Sequence, residues 1–568
     1  MTGPASRALS ALVLLAAALP AHAQMAYGDV DSADAPSDGA DGGSGSRGGH
    51  SLRSGGARTR IQPYIEVNQV VLAQLQGGDD VLTYTAVAAG VDMTLSGRRT
   101  EGAVSVRYER RFVEKGNFGD GDTISGLARV KHDLVPRTLS LEAGGFAART
   151  SVERSGAASL NTLANADAVS QVWSVYGGPA LSTHAGDVAV NASYIAGYSK
   201  VTQKEAILLS PDGTRADLFD HSLAQNAQVS AGVKPGDVLP VGLVASGGWS
   251  QEDVSNLDQR VREVRAGLQA TLPVTMSLAL VGDIGWNDVE VSSRDAVRGA
   301  NGLPVIGSDG RYRTDKSQPR RIAYDTSGIV WDVGVMWRPS RRTALSAFVG
   351  RRYDSTTYYG TLSYTPNARQ SLNIAVYDGI SGFGGALTNA VRQMPTDFEV
   401  GRNPFSGDIG GCALGSTSGG GGCVNGALGS LSSAVFRGRG VTATYGFQLG
   451  RSRAGIGMGY SQRKFIGARG TVLGAADGRK DETFFIDAGI SGPIDRYSSY
   501  SVAVFDSWYR NNASSLADVN SYGMTAGYSR QLAERLVGNL AVGLQGIDRK
   551  LVEDELVATG QLGLRYNF

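Results

Sequence analysis

Apolar and polar residues take turns along most of this chain. In the closing stretch, 556–568, Leu556, Ala558, Gly560, Leu562, Leu564, Tyr566 and Phe568 fall on one face. Thr559, Gln561, Gly563, Arg565 and Asn567 fall on the other, with Val557 the apolar exception. A period of two places successive side chains on opposite faces of a β-strand. Val104, Val106 and Tyr108 alternate in the same way with Ser105, Arg107 and Glu109. Trp331, Val333, Val335 and Trp337 share a face, and Asp332 and Gly334 take the other. Similar segments run from 61–75 through 80–96, 100–113 and 122–133 to 534–549 and 556–568, which predicts about 22 strands, within a range of 18 to 24.

The connections alternate too. Links at 96–100, 135–138, 183–187, 339–342, 450–453 and 532–535 are short. Those at 114–123, 152–168, 201–214, 291–324, 379–430, 466–481 and 511–519 are longer and irregular. Short turns at one end and long loops at the other, on strands with one apolar face, predict an all-β fold: a large transmembrane antiparallel β-barrel spanning 61–568. Its outward side chains would meet lipid and its inward ones the lumen. On this reading Trp331 and Trp337, about 20 Å apart along an extended strand, are interface aromatics.

The start of the chain supports export. Residues 1–23 carry Arg7, an apolar run from Ala8 to Leu19, Pro20 and Ala21-His22-Ala23, the pattern of a cleaved signal peptide. No later stretch has the roughly 20 apolar residues of a membrane-spanning helix, so a membrane-spanning chain must close as a barrel. Residues 24–60 are rich in Gly, Ser, Asp and Arg and read as a disordered periplasmic tail. That tail is too short to fold as a plug domain ahead of the barrel, so no plug domain is expected. The aromatic end, Tyr566 and Phe568, resembles the C-terminal insertion signal of bacterial outer-membrane barrels. The resemblance implies a Gram-negative outer-membrane location and recognition by barrel-insertion machinery, with outer-membrane lipid and lipopolysaccharide as surroundings.

Composition adds detail. The chain has 568 residues, 78 of them Gly and 2 Cys, and a net charge of +1. So small a charge gives no bias toward nucleic acid. The mean hydropathy of −0.13 suits strands of which half the residues face water. Cys412 and Cys423 bracket a Gly/Ser run in the longest loop, 379–430, and export predicts a disulfide between them. This loop either pins itself to the surface or folds inward to narrow the lumen. The loop 291–324 carries Arg294, Arg298, Arg311, Arg313, Lys316, Arg320 and Arg321. It reads either as an attractor of anionic polymer or lipopolysaccharide or as an ordinary solvated loop.

Signs of chemistry are sparse. His221 with Asp217 and Asp220 is the one Asp/His group that a hydrolase could use, and no nucleophile is positioned beside it. No P-loop, dinucleotide fingerprint or zinc-protease motif occurs, so no enzyme, cofactor or metal site is expected. Alternation instead turns Arg107, Glu109, Asp332, Asn539, Gln545, Gln561 and Arg565 inward as lumen-lining residues.

The opening Pro63-Tyr64-Ile65-Glu66-Val67, followed by Gly77-Gly78-Asp79-Asp80 and Thr83-Tyr84-Thr85, resembles the first hairpin of outer-membrane barrels associated with exopolysaccharide and PEP-CTERM-type loci. Ser105-Val106-Arg107-Tyr108-Glu109-Arg110-Arg111 continues the resemblance. It implies a role in envelope polysaccharide export or surface assembly. The expected function is therefore a porin-like channel for diffusion or export of a hydrophilic solute, polysaccharide included. The alternatives are a structural or surface-interaction barrel with a loop-plugged lumen and, third, an outer-membrane hydrolase.

Overall fold

The computed structural model describes residues 58–568, apart from 79, 116–120, 153–156, 160–161, 163–168, 204–206, 209–214, 217–219, 308–310, 416–420, 430, 433, 513–517 and 551–552. The expected signal peptide, all but the last residues of the tail, Asp79 and Asp217 lie outside the described residues.

Twenty-two long strands form the wall. They are β1 (Arg58–Gln76), β2 (Val81–Ser96), β3 (Thr100–Lys115), β4 (Gly121–Val135), β5 (Leu139–Val152), β6 (Val169–Ala185), β7 (Val188–Gln203), β8 (His221–Val233), β9 (Gly242–Val254), β10 (Gln259–Pro273) and β11 (Leu278–Ser293). The second half comprises β12 (Arg321–Ser340), β13 (Thr343–Arg352), β14 (Ser355–Asn367), β15 (Gln370–Ser381), β16 (Val435–Leu449), β17 (Ser452–Ile466), β18 (Lys480–Pro493), β19 (Ser498–Asn511), β20 (Val519–Gln531), β21 (Leu536–Arg549) and β22 (Glu555–Asn567). Each pairs antiparallel with its neighbours in the chain, and β22 returns to β1, with Ile65 opposite Tyr566 and Val71 opposite Gly560. Among the described residues the wall has no open strand edge, as a sheet in hydrocarbon requires.

The alternation seen in the sequence is the partition between two surroundings. Leu562, Leu564, Tyr566 and Phe568 are exposed on the outside of β22, while Val557, Thr559 and Gln561 are buried inside. Val557, the exception in the pattern, belongs to an interior apolar cluster. The same outward exposure of large apolar residues recurs around the wall, from Ile65 and Val67 to Leu540 and Val542. So continuous an apolar surface suits a lipid belt and not water. The wall is a closed β-barrel with the apolar outer belt of one that spans a membrane. No helix among the described residues is long and apolar enough to cross a membrane, which says nothing of strands.

The start of β1, the C-terminal Phe568 and the tight links at 97–99, 186–187, 341–342 and 450–451 share one end, the periplasmic one by loop asymmetry. At the other end the basic loop is a folded hairpin whose arginines are largely engaged. Arg294 and Arg320 each lie 2.9 Å from Asp258, Arg298 lies 3.0 Å from Asp295, and Arg311 lies 3.0 Å from Asp220.

The expectation of a barrel without a plug is wrong. Segment 382–434, between β15 and β16, does not stay outside. It folds into helix α1 (Phe383–Arg392), a three-stranded sheet (Phe398–Arg402, Ile409–Gly415, Gly421–Cys423) and helix α2 (Asn425–Leu428). It packs on inward-facing residues of the wall and on residues of the external loops such as Thr162, so it occupies the lumen. The plug is an insertion within the barrel sequence and not a domain ahead of it.

Candidate functional site: the plugged lumen

Helix α1 forms because Phe383, Leu387 and Val391 repeat every fourth residue and give one apolar stripe. That stripe packs on β5–β9, where Phe146, Val172, Ile195, Val201 and Val254 complete a buried cluster. The wall is cut away to admit it. A Cβ on Gly197 would meet Thr388 at 2.6 Å, and Ser174 and Ser199 lie against Thr388 and Gly384. From β9, the buried Glu252 carboxylate accepts the backbone N–H of Gly382 (2.7 Å) and of Gly385 (2.9 Å). It thereby satisfies donors that a helix start leaves without partners.

The deepest anchor is the turn 403–408 between the first two plug strands. Phe405 enters an apolar pocket formed by Val70, Leu72, Leu82, Tyr84, Ala541, Ile547 and Val557. Arg149 of β5 donates to both carboxylate oxygens of Asp408, at 2.8–3.1 Å, and to the Ser406 carbonyl at 2.9 Å. Thr162 donates to Asp408 at 3.0 Å. Burial alone would raise the Asp408 carboxyl, but the guanidinium of Arg149, with Arg111 behind it, holds it below the usual carboxylate range. Arg402 reaches from the plug to Ser125 (2.8 Å) and Ser105 (2.9 Å) on the wall. Gly407 has φ +66°, and Arg107 lies where its Cβ would stand.

The third contact is with β16–β18. Arg463 donates to the carbonyls of Gly426 (2.8 Å) and Ala427 (2.7 Å), and Asn425 hydrogen-bonds Asp487. Cys412 and Cys423 face each other across the inner sheet and are bonded. They pack on Gly457 of the wall, where a Cβ would meet Cys423 at 3.0 Å. A cavity of about 100 Å³ remains between α1, α2 and β15–β17, lined by Tyr377, Asn389, Gln393, Thr442, Ser461 and Arg463 among others.

The structure places the predicted lumen residues on inner faces. Arg107 pairs with Glu109, and with Glu66 at 3.6 Å; Glu109 also holds Arg111 at 2.6 Å. Asp332 lies 3.6 Å from Arg265. Arg565 sits over the Tyr64 ring, 3.6 Å from its centroid, and 3.1 Å from Asp92. Gln545 and Gln561 are buried and Asn539 is half-buried. Trp331 and Trp337 face outward, Trp337 near the periplasmic end and Trp331 deeper, with Ile329 beyond it. Tyr566 and Phe568 also face outward and meet edge-on. The His221 ring contacts Asp220 at 2.8 Å, and its backbone N–H donates to the Ser255 hydroxyl at 3.2 Å. Among the described residues no group of three or more His, Cys, Asp or Glu could hold a metal ion.

Arg149, Glu252, Arg402, Phe405 and Asp408 were missed in the sequence. The one signal for them was an isolated Phe in a Gly-rich loop, in the turn Asn403-Pro404-Phe405-Ser406-Gly407-Asp408.

No family model and no curated protein matches the chain. Solved structures similar to it include the FrpB iron transporter from Neisseria meningitidis (10% identity, TM-score 0.42, covering 89% of this chain and 82% of that one). Others are the ferric-catecholate import receptor Fiu from E. coli K12 in its open form (9%, 0.43, 89% and 81%) and the copper transporter OprC (12%, 0.37, 91% and 82%). The expected channel for diffusion or export, polysaccharide included, is corrected by the structure itself. Segment 382–434 lies in the lumen and packs on residues of the inner wall, so the lumen is not the open pore that expectation requires. The resemblance to the exopolysaccharide-associated group reduces to the outer-membrane barrel form.

Proposed function

We propose that the protein is a gated uptake barrel, closed at rest by its own inserted segment and opened when that segment moves. The observation that carries this reading is the fastening of 382–434 to inner faces of β1–β9 and β16–β18, across the lumen. An external solute meets the gate before it meets the periplasm. The cavity beside β15–β17 is the gap through which such a solute would start. Along its belt the barrel contacts outer-membrane lipid. We assign the strand ending in Tyr566 and Phe568 to recognition by the insertion machinery.

The test is single-channel conductance in planar bilayers. Ser381 and Phe436 are paired neighbours on β15 and β16, so the segment can be replaced by a two-residue hairpin turn. The intact barrel should be silent and the shortened one should conduct. Steady conductance in the intact protein, or silence in a shortened barrel shown to be folded, would refute the gate.

A further inference from the structure

The strand register sets outward residues of β8–β12 in rows that cross the wall. One row reads Ala231, Ala245, Leu268, Ile284, Trp331. The next row toward the periplasm reads Leu243, Ala270, Gly282, Val333. Below it Leu272 faces Leu280. The middle row is low at Ala270 and Gly282, and a Cβ on Gly282 would meet nothing within 4 Å. The flanking Leu268, Ile284, Leu272 and Leu280 stand out at 47–62% exposure. The result is a trough of about 560 Å³ in the outer wall. Asp283 and Asp332 contribute only from its floor, since their side chains turn inward and are buried.

Its depth decides what can enter. On β12 the outward apolar run is Ile329, Trp331, Val333, Val335, Trp337, so Val333 marks the middle of the belt. Hydrocarbon, not headgroup or water, lies at that level. The ridges are four residues apart, about 13 Å along a strand, and their side chains narrow the gap to about one chain's width. A second barrel's convex wall would rest on the ridges and leave the floor uncovered. A single hydrocarbon chain contacts floor and both ridges, and gains dispersion contacts that a flat wall does not offer. We infer that this trough is a binding site for one acyl chain of an outer-membrane lipid, which is held there while the surrounding lipids exchange. The site is independent of the gate.

The test uses the full-length barrel reconstituted with palmitoyl-oleoyl phosphatidylethanolamine and phosphatidylglycerol, then washed in detergent and read by native mass spectrometry. Gly282→Leu and Ala270→Leu fill the floor with side chains suited to a lipid-facing wall. Barrel folding is checked by heat-modifiable gel mobility. The wild type should retain one lipid per barrel, and folded variants should retain it at least tenfold less. Spin-labelled lipid should show one fewer immobilised chain per barrel in the variants. Equal retention in wild type and folded variants, no retained lipid in the wild type, or a wild-type dimer that the variants abolish would overturn the inference.

Discussion

Asp408 is the acceptor that ties the plug tip to the wall, and removing it tests whether the tip is a latch. Its side chain is 2% exposed and that of Arg149 is 7% exposed, so both charges are out of water. Asp408→Ala deletes three contacts from Arg149 and one from Thr162. It leaves a buried guanidinium with only the Ser406 carbonyl. Breaking one side of a buried ion pair costs about 3–5 kcal/mol. The wall is closed by its own ladder from β1 to β22, so the cost falls on plug docking and not on the barrel. Docked-to-released ratios should then fall roughly 100- to 4,000-fold. The assay is limited proteolysis of 382–434 in proteoliposomes, run beside conductance. Asp408→Ala should speed cleavage within the segment and give channel openings, with gel mobility of the barrel unchanged. The double replacement Arg149→Met with Asp408→Leu should restore most protection, because an apolar pair leaves no buried charge. A single variant as protected and silent as wild type would refute the latch. So would a double variant as open as the single.

Other consequences follow from the same anchors. The Asp408 carboxyl is held below its ordinary range, so its contribution to docking is complete above the unfolded value near pH 4 and fades as pH falls through the lower folded value; a conductance titration should find the plug shut from pH 7 to about 5 and opening only in stronger acid. Phe405→Ala empties a buried site and should weaken docking by about 3–5 kcal/mol, read as faster cleavage of the segment. Replacing Cys412 and Cys423 by alanine removes a link of sequence separation 11, worth about 3 kcal/mol in the chain-entropy model; the inner sheet should become protease-sensitive while the barrel melts unchanged. Phe568→Ala should lower the yield of membrane-inserted barrel in cells severalfold, measured as the heat-modifiable fraction, while leaving detergent refolding intact.

The wall was legible because two surroundings act on alternate residues. Lipid selects Leu562, Leu564 and Tyr566 on one face of β22, and the interior selects Thr559 and Gln561 on the other. That constraint recurs on every strand, so each predicted segment overlaps one strand of the wall. The same alternation turned Arg107, Glu109 and Asp332 inward. What alternation does not encode is what the inner face meets. Ser174, Gly197, Ser199 and Ser222 would suit a water-facing inner wall equally well, yet they are the small residues that let α1 lie flat on it. A lumen that is wet and a lumen packed by a glycine-rich insertion ask for similar inner residues, which is why an open channel was the natural expectation. The plug's own signals are short: one apolar triad in α1, and Phe405 alone in its turn. Its anchors also lie far apart in the chain, with Arg149 and Asp408 separated by 259 residues. Only the closed geometry of the wall brings those two charges together, so the latch exists as a property of the barrel and of no local stretch of sequence.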